Sequence, residues 1–202
     1  MGPKHFLNFE KISNQEFVSI IERGIELKNS NETEKTLKGK ILGLVFEQPS
    51  TRTRVSFEVG INNLGGSSIF LSGSELQLSR GEPISDTAKV LSSMLDVIVL
   101  RTDNHEKLEI FSQNSSVPII NGLTNSFHPC QIMADLMTFR EVSKGKNLEK
   151  VCWIGDGNNV CNSYIEAAKL LNFELSIFCP KGYEPNTNTV SYTHLTLPTT
   201  AY

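Results

Sequence analysis

The stretch Ser50-Thr51-Arg52-Thr53-Arg54 sets hydroxyl side chains beside guanidiniums immediately after Pro49. It follows the apolar run from Ile41 to Phe46, which reads as a buried strand, so the residues after Pro49 read as the first turn of a helix. The backbone N–H groups of such a turn have no partner within the helix, and they carry a partial positive charge that attracts phosphate. Arg52 and Arg54 add full charge in planar forks suited to phosphate oxygens, and the hydroxyls of Ser50, Thr51 and Thr53 supply further donors. The chemistry implied is an anion cradle. The plainer alternative is a capped surface helix with two solvated arginines.

Other residues of this kind recur at comparable places. Arg101 closes the apolar run Val97-Ile98-Val99-Leu100, where a strand-end arginine serves either a site or the surface. His128-Pro129-Cys130-Gln131 opens a helix, since proline suits the first helical position. Val151-Cys152-Trp153-Ile154-Gly155-Asp156-Gly157-Asn158-Asn159 is a strand followed by a glycine-bearing turn. Gly155-x-Gly157 without a third glycine is a weak dinucleotide signal. The amides of Asn158 and Asn159 suit either an amino acid's ammonium and carboxylate or the capping of a helix.

The elements that must position these groups alternate. Ser13-Asn14-Gln15-Glu16 has the capping-box pattern, with Ile12 and Phe17 as a hydrophobic staple and a helix over about 14–28. A strand over about 40–46 leads into the cradle helix, which Gly65-Gly66 should end. A short strand (about 68–71), a long loop (72–83), a helix (84–94) and a strand (96–101) come next. A helix (about 105–113), a strand (117–121) and a helix from Pro129 to about 141 complete a first unit. The expected fold class is α/β: a parallel sheet flanked by helices, followed by the start of a second, Rossmann-like α/β domain. Ligands of such sheets sit beyond the carboxyl ends of the strands, where the cradle, Arg101 and His128 all fall. The expected domains are residues 1–145, then 146–187 as an incomplete second domain. From about 188 the Thr-rich tail shows no amphipathic helix and is expected to be foreign to the fold.

Composition narrows the classes. Of 202 residues 39% are hydrophobic and 20% charged, and the net charge of -3 argues against nucleic-acid or membrane partners, so an anion site must be local. The start, Met1-Gly2-Pro3-Lys4-His5, lacks a signal-peptide core, and a cytoplasmic location is expected. Cys130, Cys152, Cys161 and Cys179 are too widely spaced for a zinc knuckle or a redox pair; Cys152 and Cys179 are expected to pack as small hydrophobes. No cofactor and no metal is expected.

Phe46 to Glu58 (FEQPSTRTRVSFE), His128-Pro129-Cys130-Gln131 and Trp153 to Asn159 resemble, in order, three motifs of the aspartate/ornithine carbamoyltransferase family, and the similarity runs from about 5 to 186. The resemblance implies that Ser50, Thr51, Arg52 and Thr53 bind the phosphate of carbamoyl phosphate. Arg101 and His128 would be catalytic, holding the carbamoyl end together with Gln131. Asn159 would contact L-ornithine. Gln77 matches a position that reaches into a neighbouring subunit's site, which implies a homotrimer or a multiple of it. The implied reaction is carbamoyl transfer to the δ-amine of ornithine, giving citrulline and phosphate, in the making or the breakdown of arginine. Arg80 and the Gly-Asp-Gly-Asn-Asn turn favour ornithine over aspartate. The alternatives are a related amine as acceptor, or a non-catalytic anion-binding fragment. The family's later Asp-x-x-x-Ser-Met-Gly and His-Cys-Leu-Pro segments do not occur in the sequence, so this chain alone is not expected to turn over. No covalent intermediate is needed, so Cys130 is expected to be a neutral small residue.

Overall fold

A computed structural model describes residues 2–30, 34–73 and 81–185. The chain runs α1 (Asn14–Asn29), β1 (Ile41–Phe46), α2 (Thr51–Asn63), β2 (Ser67–Ser72), α3 (Ile84–Ser92), β3 (Val97–Arg101), α4 (His105–Gln113), β4 (Ile119–Leu123), α5 (Pro129–Val142), β5 (Lys150–Ile154), α6 (Asn159–Leu171) and β6 (Glu174–Phe178). Packing separates Met1–Leu7 with Leu27–Asn125 from Asn8–Glu26 with the chain from Ser126 on. The border expected at 145–146 lies inside the second of these units, after α5.

The first unit is a four-stranded sheet in the order β2-β1-β3-β4, parallel throughout. Side chains alternate across a strand, and β1 distributes its apolar run accordingly. Leu42, Leu44 and Phe46 join Ile61 of α2 and Val99 on one face. Val45 joins Ala88, Leu108 and Phe111 of α3 and α4 on the other. Burial on both faces explains why the strand sequence is continuously apolar rather than alternating. The α2 helix ends as the glycines require. Gly65 takes φ 88°, and a Cβ on Gly66 would lie 2.8 Å from the Lys40 carbonyl oxygen.

One strand sits two residues later than expected. Pro118 has no N–H for a ladder, and it contributes its carbonyl to Ile98 N–H instead (3.0 Å). Asn121, the last residue of the expected strand, and Gly122, just beyond it, both lie within β4. Asn121 is fully buried there, its backbone N–H on the Phe6 carbonyl and its Nδ2 on the Leu7 carbonyl, both 2.8 Å.

In the second unit β5 and β6 pair in parallel. The capping box forms as expected: Glu16 Oε2 accepts from Ser13 N–H (3.0 Å), and Ser13 Oγ accepts from Glu16 N–H (3.2 Å). Phe17 meets Phe9 edge-on at 5.3 Å, so an aromatic pair anchors α1. Cys152 is exposed rather than packed, because odd-numbered Val151 and Trp153 take the covered face of β5.

Glu166 of α6 accepts from Phe9 N–H at 3.1 Å. Burial pushes its carboxyl up to about 7, helped by nearby Glu10 and opposed by that hydrogen bond and by Lys169. A carboxyl raised in the folded state stabilises the fold fully below its ordinary value of 4.5 and loses that stabilisation as pH rises through about 7. Glu166→Gln keeps an acceptor for Phe9 but no charge. Its thermal unfolding is expected to gain about 1–2 kcal/mol over the parent at pH 8 and little at pH 5. Equal pH slopes for the two proteins would contradict this.

Candidate anion and substrate site

At the carboxyl edge of the first sheet, β1 ends at Phe46 and the chain turns through Glu47-Gln48-Pro49 into α2. Ser50 is the N-cap in extended conformation, with Oγ accepting from Thr53 N–H (3.4 Å) and donating to Thr53 Oγ1 (3.0 Å). Arg101 Nη1 donates to the same Thr53 oxygen at 3.4 Å. A hydroxyl has two acceptor lone pairs and one proton. Both acceptor sites of Thr53 are used by Ser50 and Arg101, so its proton is left to donate outward. No acidic residue stands in the first turn of α2 to compete with an anion there. Thr51 and Arg52 are exposed beside it, and Arg52 makes no hydrogen bond or ion pair among the described residues.

Arg54 does something else. Its Nε is 2.9 Å from Glu58 Oε1, one helical turn on, and its guanidinium lies 3.8 Å above the centre of the Phe70 ring. Phe70 in turn meets Phe46 edge-on at 5.5 Å. The second arginine of the stretch therefore fastens the first turn of α2 to β2, which leaves Arg52 as the exposed arginine of that turn. Arg54→Ala is expected to lower stability by about 1–2 kcal/mol, through loss of an ion pair and a cation–π contact. An unchanged unfolding midpoint would show that the contact is idle.

Arg101 is aimed by a bulge. β3 and β4 stay in register to Leu100 opposite Asn121 and then slip, so that Arg101 faces Leu123. The extra residue is Gly122, where a Cβ would approach Val99 Cγ1 to 2.9 Å and Arg101 Cβ to 3.5 Å. Bulges of this kind re-aim a side chain. The Nε of Arg101 is buried and has no hydrogen-bond partner among the described residues, and burial lowers the guanidinium below its ordinary value.

Glu47, which composition and spacing did not single out, ties these strand ends together. Its N–H donates to the Arg101 carbonyl (2.9 Å), and its carboxylate accepts from the Thr102 hydroxyl and from Lys107 Nζ, the latter at 3.2 Å from both oxygens. The available signal was its place: a charge directly after a buried strand, as Arg101 is at the end of β3.

The second unit holds the remaining expected residues. His128 is the N-cap of α5, with no side-chain cap bond, and its backbone N–H donates to Ser163 Oγ (2.8 Å). Gln131 donates from Nε2 to Asp135 (2.9 Å), so its Oε1 is presented as an acceptor. Asp135 also receives the Tyr164 hydroxyl at 3.1 Å, and burial, with Asp135 beside it, pushes that phenol up to about 12. Burial likewise pushes the Cys130 thiol up to about 12, which leaves it without thiolate character at neutral pH. The two asparagines divide their work. Asn158 caps α6, accepting from Val160 and Cys161 N–H at 3.0 and 3.2 Å, while Asn159 is the first helical residue. Gln77 and Arg80 lie outside the described residues.

A family model described as the aspartate/ornithine carbamoyltransferase carbamoyl-P binding domain matches residues 4–141, and one described as the Asp/Orn binding domain matches 147–197. The latter match reaches into the segment expected to be foreign. The chain is 54% identical over 190 residues to an ornithine carbamoyltransferase of Methylococcus capsulatus, covering 94% of itself and 64% of that relative. Among solved structures it is similar to the anabolic ornithine carbamoyltransferase of Campylobacter jejuni, with a TM-score of 0.87, 44% identity and coverage of 93% of this chain and 61% of that one. It is also similar to the ornithine carbamoyltransferase of Thermus thermophilus, with a TM-score of 0.91, 36% identity and coverage of 98% and 69%. The chain thus spans just under two thirds of the curated relative's length.

Proposed function

Because the chain belongs to the aspartate/ornithine carbamoyltransferase family, we propose that it binds carbamoyl phosphate and serves transfer of the carbamoyl group to the δ-amine of L-ornithine. The observation that carries this reading is the Thr53 hydroxyl, bracketed by Ser50 and Arg101 at the start of a helix with no acid in its first turn. Ser50, Thr51, Arg52 and Thr53 take the phosphate. Arg101 and His128 donate to the carbonyl oxygen, and the Gln131 oxygen accepts from the carbamoyl NH₂. Asn159 contacts ornithine.

In the reaction the δ-nitrogen attacks the carbonyl carbon, and negative charge grows on the carbonyl oxygen, where fixed donors are worth most. The new C–N bond forms as the C–O bond to phosphate breaks, and the surplus proton of the attacking nitrogen goes to the departing phosphate. Phosphate leaves with the electron pair into the cradle, where Arg52 and the helix N–H groups meet its charge. The amine must first lose a proton, since near a pKa of ~10.4 only about one molecule in a few thousand is neutral at pH 7. No step passes through a cysteine, in keeping with the high Cys130 thiol.

The domains are taken as 1–145 and 146–187, followed by the tail. Gln77 is taken to be lent to a neighbouring subunit within a homotrimer. The setting is taken to be the cytoplasm; among the described residues no helix is long and apolar enough to cross a membrane. A version of the protein that also carries the family's later motifs should be offered ornithine, putrescine, acetylornithine and aspartate with carbamoyl phosphate. Citrulline from ornithine is the expected product. Carbamoylated aspartate as the main product would overturn the acceptor assignment.

A further inference from the structure

Ser163 supplies no chemistry to the proposed reaction, yet its side chain is fully buried and bonded at both ends. Its hydroxyl donates to the Asn159 carbonyl one turn earlier in α6 (3.0 Å) and accepts from the backbone N–H of His128 (2.8 Å). A serine has a single proton to give. Since that proton goes back to Asn159, the oxygen lone pairs face the segment before α5. Asn162 makes a parallel contact from the same turn: it is buried, and its Nδ2 donates to the Ser126 carbonyl at 3.1 Å. His128 is the N-cap, at φ -135°, ψ 67°, just outside the helix, so the Ser163 contact fixes the backbone from which its ring projects. A partly buried N–H stripped of its acceptor is costly, so the arrangement is specified.

We propose that Ser163 is a positioning residue that keeps His128 in register with Asn159, so that the group acting on the carbamoyl carbonyl and the group contacting ornithine move as one piece. The roles of His128 and Asn159 rest on the function proposed above. The hold itself rests on the hydroxyl between them.

In Ser163→Ala the His128 amide loses its acceptor. Its hydrogen exchange, followed by NMR on the full 202-residue chain, is expected to quicken about tenfold or more, and the His128 ring resonances to shift, while amides of β1 and β3 keep their rates. Carbamoyl phosphate affinity by calorimetry is expected to fall about tenfold, and affinity for inorganic phosphate, which has no carbonyl, to stay unchanged. A merely structural serine would not give the next result. In a His128→Ala background, adding Ser163→Ala should cost no further carbamoyl phosphate affinity. Ser163→Cys, which keeps the shape with a slightly larger and weaker acceptor, should show the same pattern to a smaller degree, and it serves if the alanine variant does not fold. Unchanged exchange at His128 overturns the proposal, as does a full additional loss in the His128→Ala background. If the unsubstituted chain binds carbamoyl phosphate no better than phosphate, the substrate roles fail, and the exchange rates still decide whether Ser163 holds His128.

Discussion

Arg101→Ala is expected to weaken carbamoyl phosphate binding by roughly 10- to 100-fold while leaving the unfolding free energy within about 1 kcal/mol of the parent. The two effects part company for a physical reason. The Arg101 guanidinium is desolvated, and its buried Nε finds no hydrogen-bond partner among the described residues. Its one hydrogen bond among the described residues is the long 3.4 Å contact to Thr53 Oγ1. A partly buried cation held so loosely costs the fold about what its contacts return, so removing it leaves stability nearly level. The ligand, in contrast, loses a charge-assisted donor, worth about 1.5–3 kcal/mol. Arg101→Lys should fall between the two proteins in affinity, since a point charge replaces a fork. Calorimetry with thermal denaturation on the same samples checks both halves. A large loss of stability with intact affinity would make Arg101 a structural residue.

Glu47→Ala is expected to do the reverse, lowering stability by about 2 kcal/mol. The larger part comes from Thr102, which is 1% exposed and would keep only the long contact to Asp103 Oδ1 (3.4 Å) for its hydroxyl. Lys107 contributes less, because its side chain is 43% exposed and water takes over when the carboxylate goes. The pair can be separated. In a Thr102→Val background the cost of Glu47→Ala should shrink to well under 1 kcal/mol, since no buried hydroxyl is left unsatisfied. A full cost persisting in that background would show that Lys107, not Thr102, is the partner that matters. Glu47→Ala keeps the backbone N–H that donates to the Arg101 carbonyl, so anion affinity should stay close to that of the parent.

Much of this was written in residue patterns. Continuous apolar runs such as Ile41 to Phe46 and Val97 to Leu100 announce strands covered on both faces, and the alternation with helices announces a parallel sheet. The cradle was legible because its chemistry is local: capping serine, hydroxyls and arginines share one helical turn. What stayed hidden depends on contacts far apart in sequence. Nothing near Arg54 signals that Phe70 lies beneath its guanidinium, so its charge read as part of the cradle. Asn121 and Gly122 carry turn chemistry, and only the pairing of residues 6 and 7 with β4 makes a buried asparagine tolerable there. No local pattern singles out Ser163, since its partner lies 35 positions away.

The start of α2, with Arg52 exposed beside it, is the proposed anion site for carbamoyl phosphate. The most direct measurement is a calorimetric titration of carbamoyl phosphate into the 202-residue chain and into Arg52→Ala, with inorganic phosphate as competitor. The predicted result is binding that phosphate competes away, weakened by roughly 10- to 100-fold in Arg52→Ala at an unchanged melting temperature, because that side chain is exposed and bonds to nothing among the described residues. Equal affinity of the two proteins, or binding that phosphate leaves untouched, would contradict it and leave the arginine as an ordinary surface charge.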